Sequence, residues 1–342
     1  MAVQSLAVKY RPQTFDDVVE QGSIKIILTQ QLESGDVKNA YLFTGGPGTG
    51  KTTCARIFAN EINGGKGNPI EMDAASNSGV DDVRGIIQQA RTQSLDSEYK
   101  VFIIDECHSI SNTGWQAFLK LIEEPPAKSI FIFCTTDPQK IPKTILSRVQ
   151  RYDFQRISQI GIVERLLYIL TKEDRESEDD YTVAPDAVEY IAKIADGGMR
   201  DAITMMDKCL AYSNELTLEN VIVALGTADY NTMIDLTGYL LHNERADVIR
   251  VIEDLYNDGK DLKQFIRQYM QFVLDVNKYA LGVPWEYMTI PRLFEDMLES
   301  MKDDIDQLNA LLRLVTGLSA DMKYSQSPKY DIEARLLGGR YR

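Results

Sequence analysis

The sequence predicts a three-layer α/β unit followed by helical domains, and three observations carry that prediction. Short apolar runs alternate with helix-period segments through about residue 155. A glycine-rich loop follows the first clear apolar run, and beyond residue 155 the strand signal disappears. Candidate strands are 40–45 (AYLFTG), 69–74 (PIEMDA), 101–105 (VFIID), 129–136 (SIFIFCTT) and 151–154 (RYDF). Several are apolar on both faces, as in a parallel sheet covered by helices on each side. Between them KTTCARIFANEI and NTGWQAFLKLIEE read as helices, the second stopped by Pro125 and Pro126. ISQIGIVERLLYILTKED is amphipathic and runs into the acidic stretch 173–181, read as a solvated loop or helix end. Helical patterns resume at PDAVEYIAKIADG and MRDAITMMDKCLAY, and a turn near 226–230 marks a second boundary. The expected domains are 1–156, 157–226 and 227–342, the last entirely helical.

Composition narrows the function classes. The 342 residues are enough for two or three domains with a large core in at least one. No apolar run approaches the ~20 residues that span a bilayer, and MAVQSLAVKYRPQ lacks the pattern of a secretory signal. A cytoplasmic, non-membrane protein is expected. With 37 basic and 51 acidic residues the net charge is −14, which argues against coating nucleic acid through bulk charge. Cys54, Cys107, Cys134 and Cys209 lie far apart without C-x-x-C spacing and read as small core thiols. Two histidines, His108 and His242, are too few for a histidine-based metal site.

The chemistry concentrates in two motifs. GGPGTGKTT fits G-x-x-x-x-G-K-[ST] through Gly45, Gly50, Lys51 and Thr52, after an apolar strand and at the start of a helix. Gly45, Gly46, Pro47, Gly48, Thr49 and Gly50 curl the backbone so that amides face phosphate oxygens, and the helix N-terminus through Thr53 adds partial positive charge. Lys51 reaches the β- and γ-phosphates and the Thr52 hydroxyl binds Mg²⁺. VFIIDECH then ends a strand in Asp105 and Glu106, at the sheet edge where such folds bind ligands. Asp105 is expected to hold Mg²⁺, directly or through water, and Glu106 to polarise the attacking water of ATP hydrolysis. Cys107 and His108 read as local packing or hydrogen-bonding groups. Thr136, at a third strand end, could reach a γ-phosphate or simply cap a strand. Arg148, in KTILSRVQRYDF, has no acidic residue within four positions and therefore no expected local partner.

Over nearly its full length the chain resembles a known family. LAVKYRPQTFDDVVEQ, AYLFTGGPGTGKTT, EMDAASNSGVDDVR, IIDECHSISNTGWQAFLKLIEEPP, CTTDPQKIPKTILSRV and DGGMRDAITMMDK occur in the order seen in bacterial DNA polymerase III gamma/tau clamp-loader subunits. The chain is also similar to the small subunits of replication factor C; both groups are AAA+ ATPases. The resemblance implies an AAA+ P-loop domain, a small helical lid and a helical collar that oligomerises. It assigns Thr136 to sensor 1 and Arg200 to sensor 2, reaching from the lid onto nucleotide bound in the same chain. Val8, Tyr10, Arg11, Pro12, Val18 and Val19 match the segment beside adenine and ribose. Arg148 matches the finger that enters a neighbouring subunit's ATP site, which would explain a guanidinium without a local partner.

Two departures stand out. The four-cysteine zinc module usual before IDAAS is replaced by the cysteine-free NEINGGKGNPIEMDAAS, so no zinc is expected. Val149 stands where the family places a cysteine after the finger arginine. The sequence stops soon after the third domain, a feature that would suit a phage-encoded or otherwise reduced loader.

The family also implies partners: other loader subunits in what is expected to be a pentameric spiral, a sliding clamp, and primer–template DNA read by shape. Ser76, Asn77, Ser78 and Gly79, and Ser109, Ser111 and Asn112, precede or open helices where amides and hydroxyls either bind phosphate or simply cap. Arg84 is a further candidate. The expected function is an ATP-hydrolysing clamp-loader subunit. The alternatives are a non-hydrolysing structural subunit, which would be expected to lose Lys51 or the acidic pair, and an AAA+ translocase or helicase, which would need a pore loop or DNA-binding domain.

Overall fold

The computed structural model describes residues 4–77, 79–92, 96–176, 181–226 and 230–338. These divide into two compact units that meet between Leu216 and Thr217.

The first unit opens with α1 (Leu6–Lys9) and α2 (Gly22–Ser34), then alternates strand and helix: β1 (Ala40–Thr44), α3 (Lys51–Ile62), β2 (Ile70–Asp73), α4 (Val80–Ala90), β3 (Lys100–Asp105), α5 (Asn112–Glu123), β4 (Ser129–Thr135), α6 (Lys143–Leu146) and β5 (Gln150–Asp153). The strands form one parallel sheet in the order β2-β3-β4-β1-β5. All five expected strands are present within a residue or so of their predicted bounds. Successive side chains on a strand point to opposite faces, so each strand feeds two cores. Leu42, Phe102, Ile104, Phe131 and Phe133 pack with Trp115 and Phe118 of α5 on one face. Tyr41, Phe43, Val101, Ile103, Ile130 and Ile132 pack with Ile57 and Phe58 of α3 on the other. That two-sided burial explains the continuous apolar runs.

A helical subdomain follows within the same unit: α7 (Gln159–Glu176), α8 (Pro185–Ile194) and α9 (Met199–Tyr212). The sequence suggested no strands here, yet β6 (Thr182–Val183) pairs in parallel with β7 (Glu215–Leu216). Two-residue strands are too short to display an alternating pattern. Because β7 closes this pair, the compact unit ends at 216, ten residues before the expected boundary at 226/227. Residues 227–229 of the expected turn lie outside the described residues.

The second unit is helical throughout its described residues: α10 (Leu218–Leu225), α11 (Tyr230–Leu241), α12 (Arg245–Asn257), α13 (Leu262–Ala280), α14 (Glu295–Met301), α15 (Ile305–Met322) and α16 (Pro328–Gly338). Its long central helix α13 buries Phe265, Ile266, Tyr269, Phe272, Val273 and Val276 on one face, at the spacing of an amphipathic helix. None of the described helices is long and apolar enough to cross a membrane. All four cysteines are free and buried. Burial pushes the Cys54 thiol up to about 12 and the Cys209 thiol to about 11, and also raises Cys107 and Cys134, which keeps them protonated and inert.

Candidate nucleotide-binding site

Parallel strands place the carboxyl ends of β1, β3 and β4 at one edge of the sheet, where the loop 45–50 turns into α3. A cleft of about 480 Å³ opens there. Tyr10, Arg11, Pro12, Val18, Val19, Asp105, Glu106, Arg200 and the loop residues Pro47 to Thr53 line it. Val8 instead lines an adjoining recess shared with Arg11, Pro12 and Arg56.

The loop is built by its glycines. Gly45 has φ of +147°, and a Cβ there would lie 2.5 Å from the Phe154 carbonyl oxygen. Gly48, at φ +68°, passes so near Gly198 that a Cβ would meet its Cα at 2.9 Å. No other residue type fits either position without displacement. The close approach lets the Met199 amide donate to the Gly48 carbonyl at 3.1 Å. The phosphate loop is thereby fastened to the first turn of α9, which carries Arg200.

Lys51 is only 6% exposed. Its Nζ donates to the carbonyls of Gly45 at 2.9 Å and Gly46 at 2.6 Å. These two glycines do not line the cleft themselves; they hold the lysine that does. Burial pulls the ammonium below its ordinary pKa, against the opposing attraction of Glu106 and Asp105. A buried cation held by dipoles is stabilised by an arriving anion. Beside it, Thr52 Oγ1 donates to Asp105 Oδ2 at 2.7 Å, while Asp105 Oδ1 accepts the Glu106 amide at 3.0 Å. A hydroxyl and a carboxylate in contact are hard oxygen donors that fit Mg²⁺. Among the described residues no group of three or more His, Cys, Asp or Glu is arranged to hold a metal ion.

Glu106 sits at φ +46°, in the left-handed region that a non-glycine residue rarely occupies. Thr136 Oγ1 donates to its Oε2 at 3.1 Å, so the third strand end does meet the acidic pair.

The cleft also uses residues the sequence reading passed over: Ala7, Arg56, Ile157, Arg165, Met199, Asp201 and Ile203. Arg165 of α7 donates from Nη2 to the Tyr10 carbonyl at 2.9 Å. Tyr10 and Lys9 in turn bond Glu173 of α7, and the Leu6 amide donates to Asp207 of α9. The N-terminal segment is thus strapped across the helical subdomain. Arg165 directly follows Glu164 in the amphipathic IVERLLYIL, so sequence alone gave no sign that it faces the cleft.

Arg148 lies away from this chain's own cleft, just past α6. The expectation that it lacks a local partner is not met. Its Nη2 contacts Glu123 Oε1 at 2.8 Å, and Nη1 donates to the Thr144 carbonyl at 2.8 Å. Glu123 closes α5, 25 positions earlier in sequence, which is why a local reading could not pair them.

The candidate DNA contacts are engaged within the chain. Ser76 Oγ donates to Asp73 Oδ2 at 2.9 Å and Asn77 Nδ2 to the Asp73 carbonyl at 3.1 Å. Ser111 caps α5 by accepting the Gly114 amide at 3.2 Å, and Asn112 is that helix's first residue. The Gly79 amide is taken by Asp82, Arg84 pairs with Asp81, and the Ser109 amide donates to the Glu106 carbonyl. Ser78 lies outside the described residues.

Comparison with known proteins agrees with this geometry. Residues 68–158 match the family model for the DNA polymerase III delta subunit. Residues 161–215 match the ATPase lid domain of the DNA polymerase III clamp-loader subunit, and 216–333 match domain III of subunits gamma and tau. DNA polymerase III subunit tau of Bacillus subtilis is 32% identical across 98% of this chain and 63% of its own length. The gamma/tau subunit of Mycobacterium tuberculosis is 33% identical across 96% of the chain and 62% of its own length. The chain therefore spans somewhat under two thirds of these relatives. In fold it is similar to the Thermotoga maritima RuvB Holliday junction branch migration motor, with TM-score 0.51 and 18% identity over 84% of this chain and 91% of that one. Three consecutive family matches and these relatives make the chain similar, over nearly all of its length, to gamma/tau subunits of the DNA polymerase III clamp loader.

Proposed function

We propose that the chain is an ATP-hydrolysing subunit of a clamp loader, which places a sliding clamp on primer–template DNA. The observation that carries the reading is the convergence in one cleft of a buried Lys51, the Thr52–Asp105 pair, Glu106 and Arg200. A subunit kept only for assembly has no need to preserve a buried ammonium beside two carboxylates. Lys51 and the loop amides receive the β- and γ-phosphates, and Arg200 approaches from the lid. Thr52 and Asp105 are the residues that would hold Mg²⁺, which when bound neutralises charge on the phosphates. Glu106, steadied by Thr136, orients the attacking water.

Arg148 acts in trans in this reading, on nucleotide held by a neighbouring subunit of a spiral, from a surface position where its side chain is 39% exposed. ATP binding favours the spiral that holds the clamp open, and hydrolysis on primed DNA releases it. The site of action is the cytoplasm, where replication partners are found.

The test is steady-state ATP hydrolysis with and without primer–template DNA and the cognate clamp, with Arg148→Ala beside wild type. Stimulation by DNA and clamp is expected for wild type. The variant should lose stimulated activity by on the order of 10³-fold while still binding ATP. Hydrolysis indifferent to clamp, DNA and Arg148 would instead describe a self-contained ATPase with another client.

A further inference from the structure

His108, read from sequence as a local packing or hydrogen-bonding group, lies against the proposed base. Its Nδ1 lies 3.2 Å from Glu106 Oε2 and 3.2 Å from Thr135 Oγ1. Thr135 is fully buried at the end of β4, and its hydroxyl oxygen also accepts the Asp137 amide at 3.0 Å. The imidazole is therefore braced by a rigid strand end, and its side chain is 20% exposed.

We infer that His108 is a positioning residue for Glu106, donating from Nδ1 so that one carboxylate oxygen is gripped and the other is left to order the attacking water. This rests on the hydrolytic reading above. The left-handed conformation at Glu106 (φ +46°) is unfavourable for a residue with a side chain and persists only where neighbours hold it. The Thr136 hydroxyl donates to Oε2, and the His108 ring lies 3.2 Å from the same oxygen while its Nδ1 hydrogen-bonds with the Thr135 hydroxyl. Both groups sit on the Oε2 side, which leaves Oε1 as the oxygen for a water. A proton on Nδ1 is the consistent choice, because an unprotonated nitrogen 3.2 Å from a carboxylate oxygen is repelled, whereas N–H to a carboxylate is a charge-assisted bond. Sequence neighbours two apart would not ordinarily face each other; the short helical turn Cys107–Ser109 brings them together.

The experiment compares His108→Ala, His108→Asn, Glu106→Gln and the double variant Glu106→Gln/His108→Ala. Each is the full chain, assayed with primer–template DNA and clamp for kcat, KM for ATP and nucleotide affinity. His108→Ala is expected to lower kcat by roughly ten- to a hundredfold with unchanged nucleotide affinity. His108→Asn, which keeps a donor near the Nδ1 position, should recover most of that loss. In the Glu106→Gln background His108→Ala should add nothing, since a positioning residue acts only through the group it positions. If His108→Ala retains full kcat while Glu106→Gln is inactive, the role of His108 is wrong and the hydrolytic reading stands. A His108→Ala loss that persists unchanged on top of Glu106→Gln also overturns it. Should Glu106→Gln hydrolyse like wild type, the base assignment fails and this inference fails with it.

Discussion

Lys51 in the first unit and Asp275 in the second are both buried charges, and the chain treats them in opposite ways. Asp275, fully buried on α13, accepts from the Thr289 amide at 2.6 Å, the Thr289 hydroxyl at 2.5 Å and the Ile290 amide at 3.1 Å. Gln271 and Lys278 approach its other oxygen at 3.3 and 3.0 Å. It is what folds GVPWEYMTIP down onto the helices, aided by Lys278, which also donates to the Tyr287 carbonyl. Among the described residues Lys51 is given only the two carbonyls of its own loop. A buried charge saturated by its own chain is a structural clamp, whereas one given dipoles and no salt-bridged counter-charge is prepared for a ligand. The difference separates a charge that maintains a shape from one left open to an arriving anion.

That contrast is most exposed to Asp275→Ala, which should destabilise the chain by roughly 3 kcal/mol or more, because two amides and an ammonium lose their partner together. Denaturant unfolding checks it, and nucleotide affinity should hardly move. Lys51→Met should do the reverse. ATP affinity is expected to fall roughly a hundredfold, yet the ligand-free chain should unfold no more easily than wild type. The proton balance sharpens this. Burial lowers the Lys51 pKa from its ordinary 10.5, so the folded chain releases that proton first. Ligand-free stability then rises with pH between the lowered value and 10.5, and the Lys51 share of that rise vanishes in Lys51→Met. The smallest effect is expected at the surface pair of Arg148 with Glu123. Glu123→Ala should change stability by less than about 1 kcal/mol, since pairs this exposed contribute little. A larger change would make the pair a structural clamp like Asp275.

The parallel sheet and phosphate loop were legible because their signals are local: apolar runs, a glycine spacing and a carboxylate pair at a strand end. Residues whose meaning depends on distant neighbours were not. Glu123 gave no sign of meeting Arg148, nor Asp275 of holding residues 289 and 290, since a carboxylate on a helix reads as solvent-facing until the fold shows otherwise. The boundary at 216 rather than 226 was hidden because it depends on a two-residue strand pairing 33 residues back in sequence, Val183 against Leu216.

By itself, then, the sequence determined the five strands of the parallel sheet, their two-faced burial and the meeting of the glycine loop with a carboxylate pair at one sheet edge, all of which follow from periodicity and motif spacing. Tertiary structure alone decided which oxygen of Glu106 is held, that the Gly48 loop rests on the helix bearing Arg200, and which acid meets Arg148. Those are contacts a few ångströms long between segments far apart in the chain, and only the packed fold brings them within reach.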